Sequence, residues 1–255
     1  MLTYRNLWSK LLKGPTLKVA PRGLPCVELL VVRSRYWVGE IVPRPSLNPR
    51  LGFMEGLQLV AGTADKLAVQ RVAPKVDLDL FGPMSFYGPR VVDQIPNVLA
   101  ELRKDPESRR AVLIAANNPA IDAVKGTTPC TLAIQFFIRE RKLVTVAYLR
   151  SSDVAWGIPY DVMQFSILAL SVARVLDVTP WTIELVGGST HIYDNTRHLQ
   201  PQEKDNPRFF RFEERTPKDW PDLRVWAKDR VEWDFFWSAG VPEGIVWSKM
   251  PVGLC

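Results

Sequence analysis

Long hydrophobic runs are missing from this chain of 255 residues, and so are runs of basic residues. No apolar stretch approaches the ~20 residues that a membrane-spanning helix requires. The opening segment MLTYRNLWSKLLKG breaks its apolar residues with Arg5, Lys10 and Lys13, so neither the apolar centre of a secretory signal nor a small-residue cleavage site is expected. Cysteine is scarce. Cys26, Cys130 and Cys255 have no metal-ligand spacing, and an odd count makes a poor disulfide framework. A reducing, cytoplasmic setting without a bound metal is therefore expected, in which one thiol can be chemically active. There are no internal repeats and no low-complexity tract. The basic residues are scattered without interleaved aromatics, which makes an extended nucleic-acid surface the weaker reading.

The formal charge of +6 nevertheless favours anionic partners in general: nucleic acid, a membrane surface or a phosphorylated metabolite. Hydrophobic residues at 47% and charged residues at 24% give an ordinary globular balance, and the length suffices for one large core. Leu7, Leu11 and Leu12 mark an amphipathic segment over 3–13 that stops at Gly14-Pro15. CVELLVV at 26–32 reads as a buried strand. Pro43, Pro45 and Pro49 form a loop before a helix around 50–61. VDQIPNVLAELRK at 92–104 is helical, DPESRR is a turn, and AVLIAA at 111–116 is a strand. TLAIQFFI (131–138) and LVTVAYL (143–149), split by the charged RERK, predict a hairpin. Phe165, Leu168, Val172 and Val175 recur at helical spacing over 158–176, with a Pro in the first turn. TIELVGGSTHIY at 182–193 is strand-like. Beyond about 200 the chain is rich in Trp and Pro and resists division. The expected class is α+β, with one large sheet covered by helices in a single domain over 1–255.

Three segments carry residues suited to chemistry. Cys130 follows Pro129 at the mouth of a strand; it is either a small buried hydrophobe or a reactive thiol. Arg150-Ser151-Ser152-Asp153 follows an apolar strand, as a plain turn would, but Arg with a hydroxyl also holds phosphate. Arg109 and Arg110 end a polar turn and are either solvated or a clamp for a dianion.

Taken together, DQIPNVLAELRKDPESRR (93–110), TPC (128–130), RSSDVAWGIPYD (150–161) and GGSTHIYDN (187–195) resemble thymidylate synthase in their order and spacing. The resemblance implies the thymidylate synthase fold and a sheet-to-sheet homodimer. It also implies a nucleotide monophosphate substrate, and 5,10-methylenetetrahydrofolate as co-substrate. Cys130 looks like the thiolate that adds to C6 of the pyrimidine, making C5 a carbon nucleophile. Arg150 is the neighbour expected to lower its pKa. Arg22, Arg150 and Ser151 resemble the family's phosphate ligands, and Arg109 and Arg110 the pair that reaches the site of a second subunit. His191 and Tyr193 resemble the sugar-hydroxyl ligands. Asp153 resembles the carboxylate on the pterin. Glu55 resembles the glutamate that organises water and proton transfer, and Tyr87 the tyrosine beside the nucleophile. This sequence departs from the pattern in several places. Arg22-Gly23-Leu24-Pro25 replaces an Arg-Thr-Gly-Thr loop, and Thr131 replaces a His. VDLDLFGP at 76–83 lacks the family's tryptophan motif, and PVGLC lacks its closing tail.

Asp161 stands where uracil-specific members carry Asn. A carboxyl group accepts from the 4-amine of cytosine and, when protonated, donates to N3. Opposite uracil O4 it would leave two acceptors opposed, at a cost of roughly 1–3 kcal/mol when buried. Cytosine is therefore the expected base. The resemblance to the cytosine-specific branch of the family, with which the missing tryptophan motif agrees, implies a cytidylate or deoxycytidylate hydroxymethylase in which Glu55 activates the water added at the end. The rivals are a thymidylate synthase or uridylate hydroxymethylase and, from another class, an inactive homologue that binds RNA.

Overall fold

A computed structural model describes residues 2–78, 85–116, 128–233, 237–238 and 241–249. Helices and strands interleave in the order α1 (Tyr4–Lys13), β1 (Leu17–Val19), β2 (Cys26–Trp37), β3 (Glu40–Ile41), α2 (Pro49–Ala61), α3 (Lys66–Val72), α4 (Gly88–Val91) and α5 (Ile95–Lys104). There follow β4 (Val112–Ile114), β5 (Thr131–Arg139), β6 (Lys142–Asp153), α6 (Gly157–Leu176), β7 (Thr179–Tyr193) and β8 (Arg208–Phe212). α7 (Trp220–Glu232) and the short β9 (Trp237–Ser238), β10 (Val241–Pro242) and β11 (Ile245–Ser248) close the described chain.

Six strands form one mixed sheet in the order β1-β2-β7-β6-β5-β4. All its pairings are antiparallel except β6 with β7, which α6 makes parallel by crossing over the sheet. The expected hairpin is there. Its turn sets Glu140 and Arg141 both at positive φ, as a two-residue turn matched to strand twist requires. Along β6 the residues alternate. Leu143, Thr145, Ala147 and Leu149 are buried, whereas Val144, Val146 and Tyr148 on the opposite face are half-buried. α6 is apolar nearly all round and lies in the core, with Phe165, Leu168 and Val172 fully buried. Gly52 and Gly56 allow α2 to approach it closely, because a methyl group on either would run into Met163 or Ile167.

One expectation needs correction, one of two alternatives falls away, and one unread segment gains an order. The strand expected over 26–32 is not buried throughout, since Leu30 is 57% and Val31 82% exposed. β2 is distorted there without a change of register: Leu30 pairs with Ser189 and Val32 with Gly187, which leaves Val31, opposite Gly188, unpaired at φ 53. Arg150–Asp153 is not a turn but the end of β6. The segment beyond 200, where no order was read, holds β8, α7 and a three-stranded sheet β11-β8-β3.

Candidate active site

A cleft of about 1570 Å³ opens where the ends of β6 and β7 meet the first turns of α6. Parallel pairing sets Ser151 beside Ser189 and Asp153 beside His191, so residues some forty positions apart share one rim. Ten of the twelve residues singled out from sequence line this cleft: Arg22, Glu55, Tyr87, Cys130, Arg150, Ser151, Asp153, Asp161, His191 and Tyr193. Arg109 and Arg110 do not line it. Both are exposed in the turn after α5, and Arg110 pairs with Glu101 at 2.9 Å.

Cys130 is exposed at the start of β5. Tyr87, just ahead of α4, accepts a hydrogen bond from the backbone N–H of Thr131 at 3.3 Å, which anchors the residue after the cysteine. Arg150 folds back along the preceding segment. Its Nε donates to the Pro129 carbonyl at 3.0 Å and its Nη2 to that of Thr128 at 2.7 Å. Five N–H groups are available on a guanidinium, so donors remain for an anion. The expectation that Arg150 makes this thiol acidic is only half right. Desolvation pushes the Cys130 thiol up, Arg150 and Arg22 oppose that, and the net direction is upward. Cys26, buried in β2, is also pushed up by burial, and acidic neighbours add to the effect. Cys255 lies outside the described residues, as do 79–83 of VDLDLFGP and the tail PVGLC.

Two buried carboxyl groups lie deeper. Glu55 on α2 is pushed up to about 8 by burial and by the charge of Asp161, and its Oε2 has no hydrogen-bond partner. Asp161 on α6, 9% exposed, is pushed up to about 7 by burial. The side chain of Gln164 opposes that shift by donating from Nε2 to Asp161 Oδ1 at 2.9 Å. At neutral pH both carboxyls hold and release protons readily, as groups that move protons must. At the rim, burial pulls the His191 imidazole down toward its neutral form against the opposing pull of Asp153. His191 also meets Tyr193 edge to face at 4.9 Å. Asp153 is pushed up by burial. Both its backbone hydrogen bonds, from Ala155 at 2.7 Å and Trp156 at 3.3 Å, fall on Oδ1. Arg22 lines the cleft from a left-handed backbone position at φ 55.

Sequence reasoning gave no role to four neighbours. Gln164 lies one helical turn after Asp161, a spacing that was there to be read. Ser152 has a buried Oγ without a partner and lines the cleft. Trp156 lines it half-exposed, with the buried Arg44 guanidinium 4.1 Å from its ring centre. Nothing in the Pro43-Arg44-Pro45 loop signals that contact. Among the described residues, no group of three His, Cys, Asp or Glu side chains is placed to hold a metal, and no helix is long and apolar enough to cross a membrane.

A thiol facing a large cleft, edged by arginines and floored by carboxyls whose pKa values burial raises, suits an α+β enzyme that attacks a polar, anionic substrate. Residues 56–233 match the family model described as Thymidylate synthase, and the chain belongs to that family. Membership implies folate-dependent one-carbon transfer to a pyrimidine nucleotide, with methylenetetrahydrofolate as co-substrate. The matched span takes in ten of the twelve residues but begins just after Glu55 and leaves out Arg22. The cleft suits that chemistry in size, since it exceeds the ~300–1,000 Å³ typical of a single small ligand and so has room for two.

Proposed function

We propose that the enzyme is a cytidylate or deoxycytidylate 5-hydroxymethyltransferase that draws its one-carbon unit from 5,10-methylenetetrahydrofolate. One observation carries the base assignment: Asp161 is a buried cleft carboxyl whose pKa, about 7, leaves it protonated on a large share of molecules at neutral pH. Such a group offers cytosine an acceptor for the 4-amine and a donor for N3 together, whereas its ionised form offers uracil O4 only a mismatched acceptor.

In this reading Arg22, Arg150 and Ser151 hold the phosphate, and His191 and Tyr193 take the sugar hydroxyl. Cys130 Sγ then bonds to C6 while Asp161 shares a proton with N3, which stabilises the electron density pushed onto the ring. Tyr87 steadies the nucleophile's loop through the Thr131 N–H. Asp153 faces the pterin. When bound, methylenetetrahydrofolate supplies an electrophilic carbon to C5. Glu55, poised near 8, would take the proton lost from C5 as the tetrahydrofolate amine departs, and would activate the water that adds to the exocyclic methylene so formed before Cys130 Sγ leaves C6. The half-buried outer face of the sheet, with Val144, Val146 and Tyr148, is where a second copy would pack. Arg109 and Arg110, exposed and away from their own cleft, would reach the site of that copy.

Mass spectrometry of the products from cytidylate, deoxycytidylate, uridylate and deoxyuridylate, each with methylenetetrahydrofolate, tests the proposal. A CH₂O increment on a cytosine nucleotide is expected. A CH₂ increment found only on deoxyuridylate would make the enzyme a synthase.

A further inference from the structure

The hydrogen bond between Gln164 and Asp161 has a consequence for which carboxyl oxygen can carry a proton. Both side chains sit on the cleft-facing side of α6, at 8% and 9% exposure, so water competes poorly for either. The amide donates to Oδ1. An oxygen that already accepts a hydrogen bond is the poorer site for a proton, so protonated Asp161 carries its hydrogen on Oδ2. We propose that Gln164 is a specificity-determining positioning residue: it keeps Asp161 Oδ1 an acceptor and Oδ2 the donor, the polarity that cytosine needs and uracil does not. The inference rests on Asp161 facing the base.

The polarity works as follows. Oδ1 has a second lone pair for the 4-amine hydrogen of cytosine, and Oδ2–H points its hydrogen to N3. Without the amide the carboxyl can turn over, or carry its proton on either oxygen, and the donor–acceptor order is lost in part of the population. The titratable groups that feel the charge of Asp161 are Glu55 from α2, Tyr87 ahead of α4, Cys130 ahead of β5 and Tyr36 of β2. Among the described residues, the side chain that hydrogen-bonds this carboxyl is that of Gln164.

The test is the pH dependence of kcat and KM for Gln164→Leu and Gln164→Glu, on cytidylate and uridylate substrates. The active form has Asp161 protonated, so activity on cytidylate falls as pH rises through its pKa. Leu removes a donor that favours the ionised form; that limb should move to higher pH. The turnover number should drop roughly ten- to a hundredfold through lost orientation. Nucleotide KM should hold, because the phosphate ligands are untouched, and the preference for cytidylate over uridylate should shrink. Glu can donate only while protonated, so its cytidylate activity should be confined to the acid side of the wild-type range. That near-isosteric variant keeps the test alive if the Leu variant does not fold. A loss of turnover in both variants with the limb and the base preference unmoved would reduce Gln164 to a structural role and overturn the inference. The proposed function fails separately, if the wild-type enzyme acts on uridylates alone.

Discussion

Replacing Asp161 by Asn should make the unliganded protein more stable, and increasingly so as the pH rises. The carboxyl ionises near 3.9 in an unfolded chain and about 7 in the folded one, because burial disfavours its charged form. A folded-state pKa raised in this way means that the native state holds the extra proton. Ionisation therefore favours unfolding, and stability is lost as pH rises from the unfolded value through the folded one. Integrating the proton linkage with these two values gives a penalty of about 1.5 kcal/mol at pH 5 and about 4 kcal/mol at pH 8. Asn is close in size, carries no charge, and can keep the contact with Gln164 by turning its amide so that its oxygen accepts. Urea denaturation of both proteins at the two pH values, with no nucleotide or folate present, reads the effect directly. The advantage of the variant should grow by about 2–3 kcal/mol between pH 5 and pH 8. An advantage that does not change with pH, or none at all, would refute the reasoning, since it would mean that Asp161 titrates as an exposed carboxyl.

The same variant should trade cytidylate activity for uridylate turnover, because an amide offers O4 a donor and N3–H an acceptor; steady-state rates on both bases check this, and a retained cytosine preference removes the base-reading role. Mixing Cys130→Ser chains with Arg109→Ala/Arg110→Ala chains, each inactive alone, should restore part of the activity, since one site of each heterodimer has every wild-type part. No recovery from demonstrated heterodimers would rule out the shared site. A 5-fluorinated cytidine nucleotide with methylenetetrahydrofolate should trap a covalent adduct, which peptide mass spectrometry should place on Thr128-Pro129-Cys130. Cys130→Ser should abolish turnover and trapping while still binding nucleotide. An adduct on Cys26, or robust turnover by the serine variant, contradicts the nucleophile assignment.

Much of this enzyme was legible in its sequence, and for a local reason. Apolar periodicity and turn residues act on near neighbours, so the β5–β6 hairpin, α6 and the helix that became α2 could be read from spacing alone. The residues from Cys130 to Tyr193 are nominated by their match to thymidylate synthase motifs, and strand ends and helix starts bring them to one rim. What tertiary structure alone decided concerns neighbours remote in the chain. Hydrophobic Leu30 and Val31 are exposed where the β2–β7 ladder is interrupted at Val31, in a pairing across some 160 residues. The thiol of Cys130 is held up rather than down because the desolvation around it outweighs the nearby Arg150 and Arg22. The carboxyls of Glu55 and Asp161 are raised toward neutral pH only where α2 packs on α6, through glycines that look unremarkable in the text. A sequence names the titratable groups, but the water each one loses and the charges each one meets depend on distances, and those exist only in the folded chain.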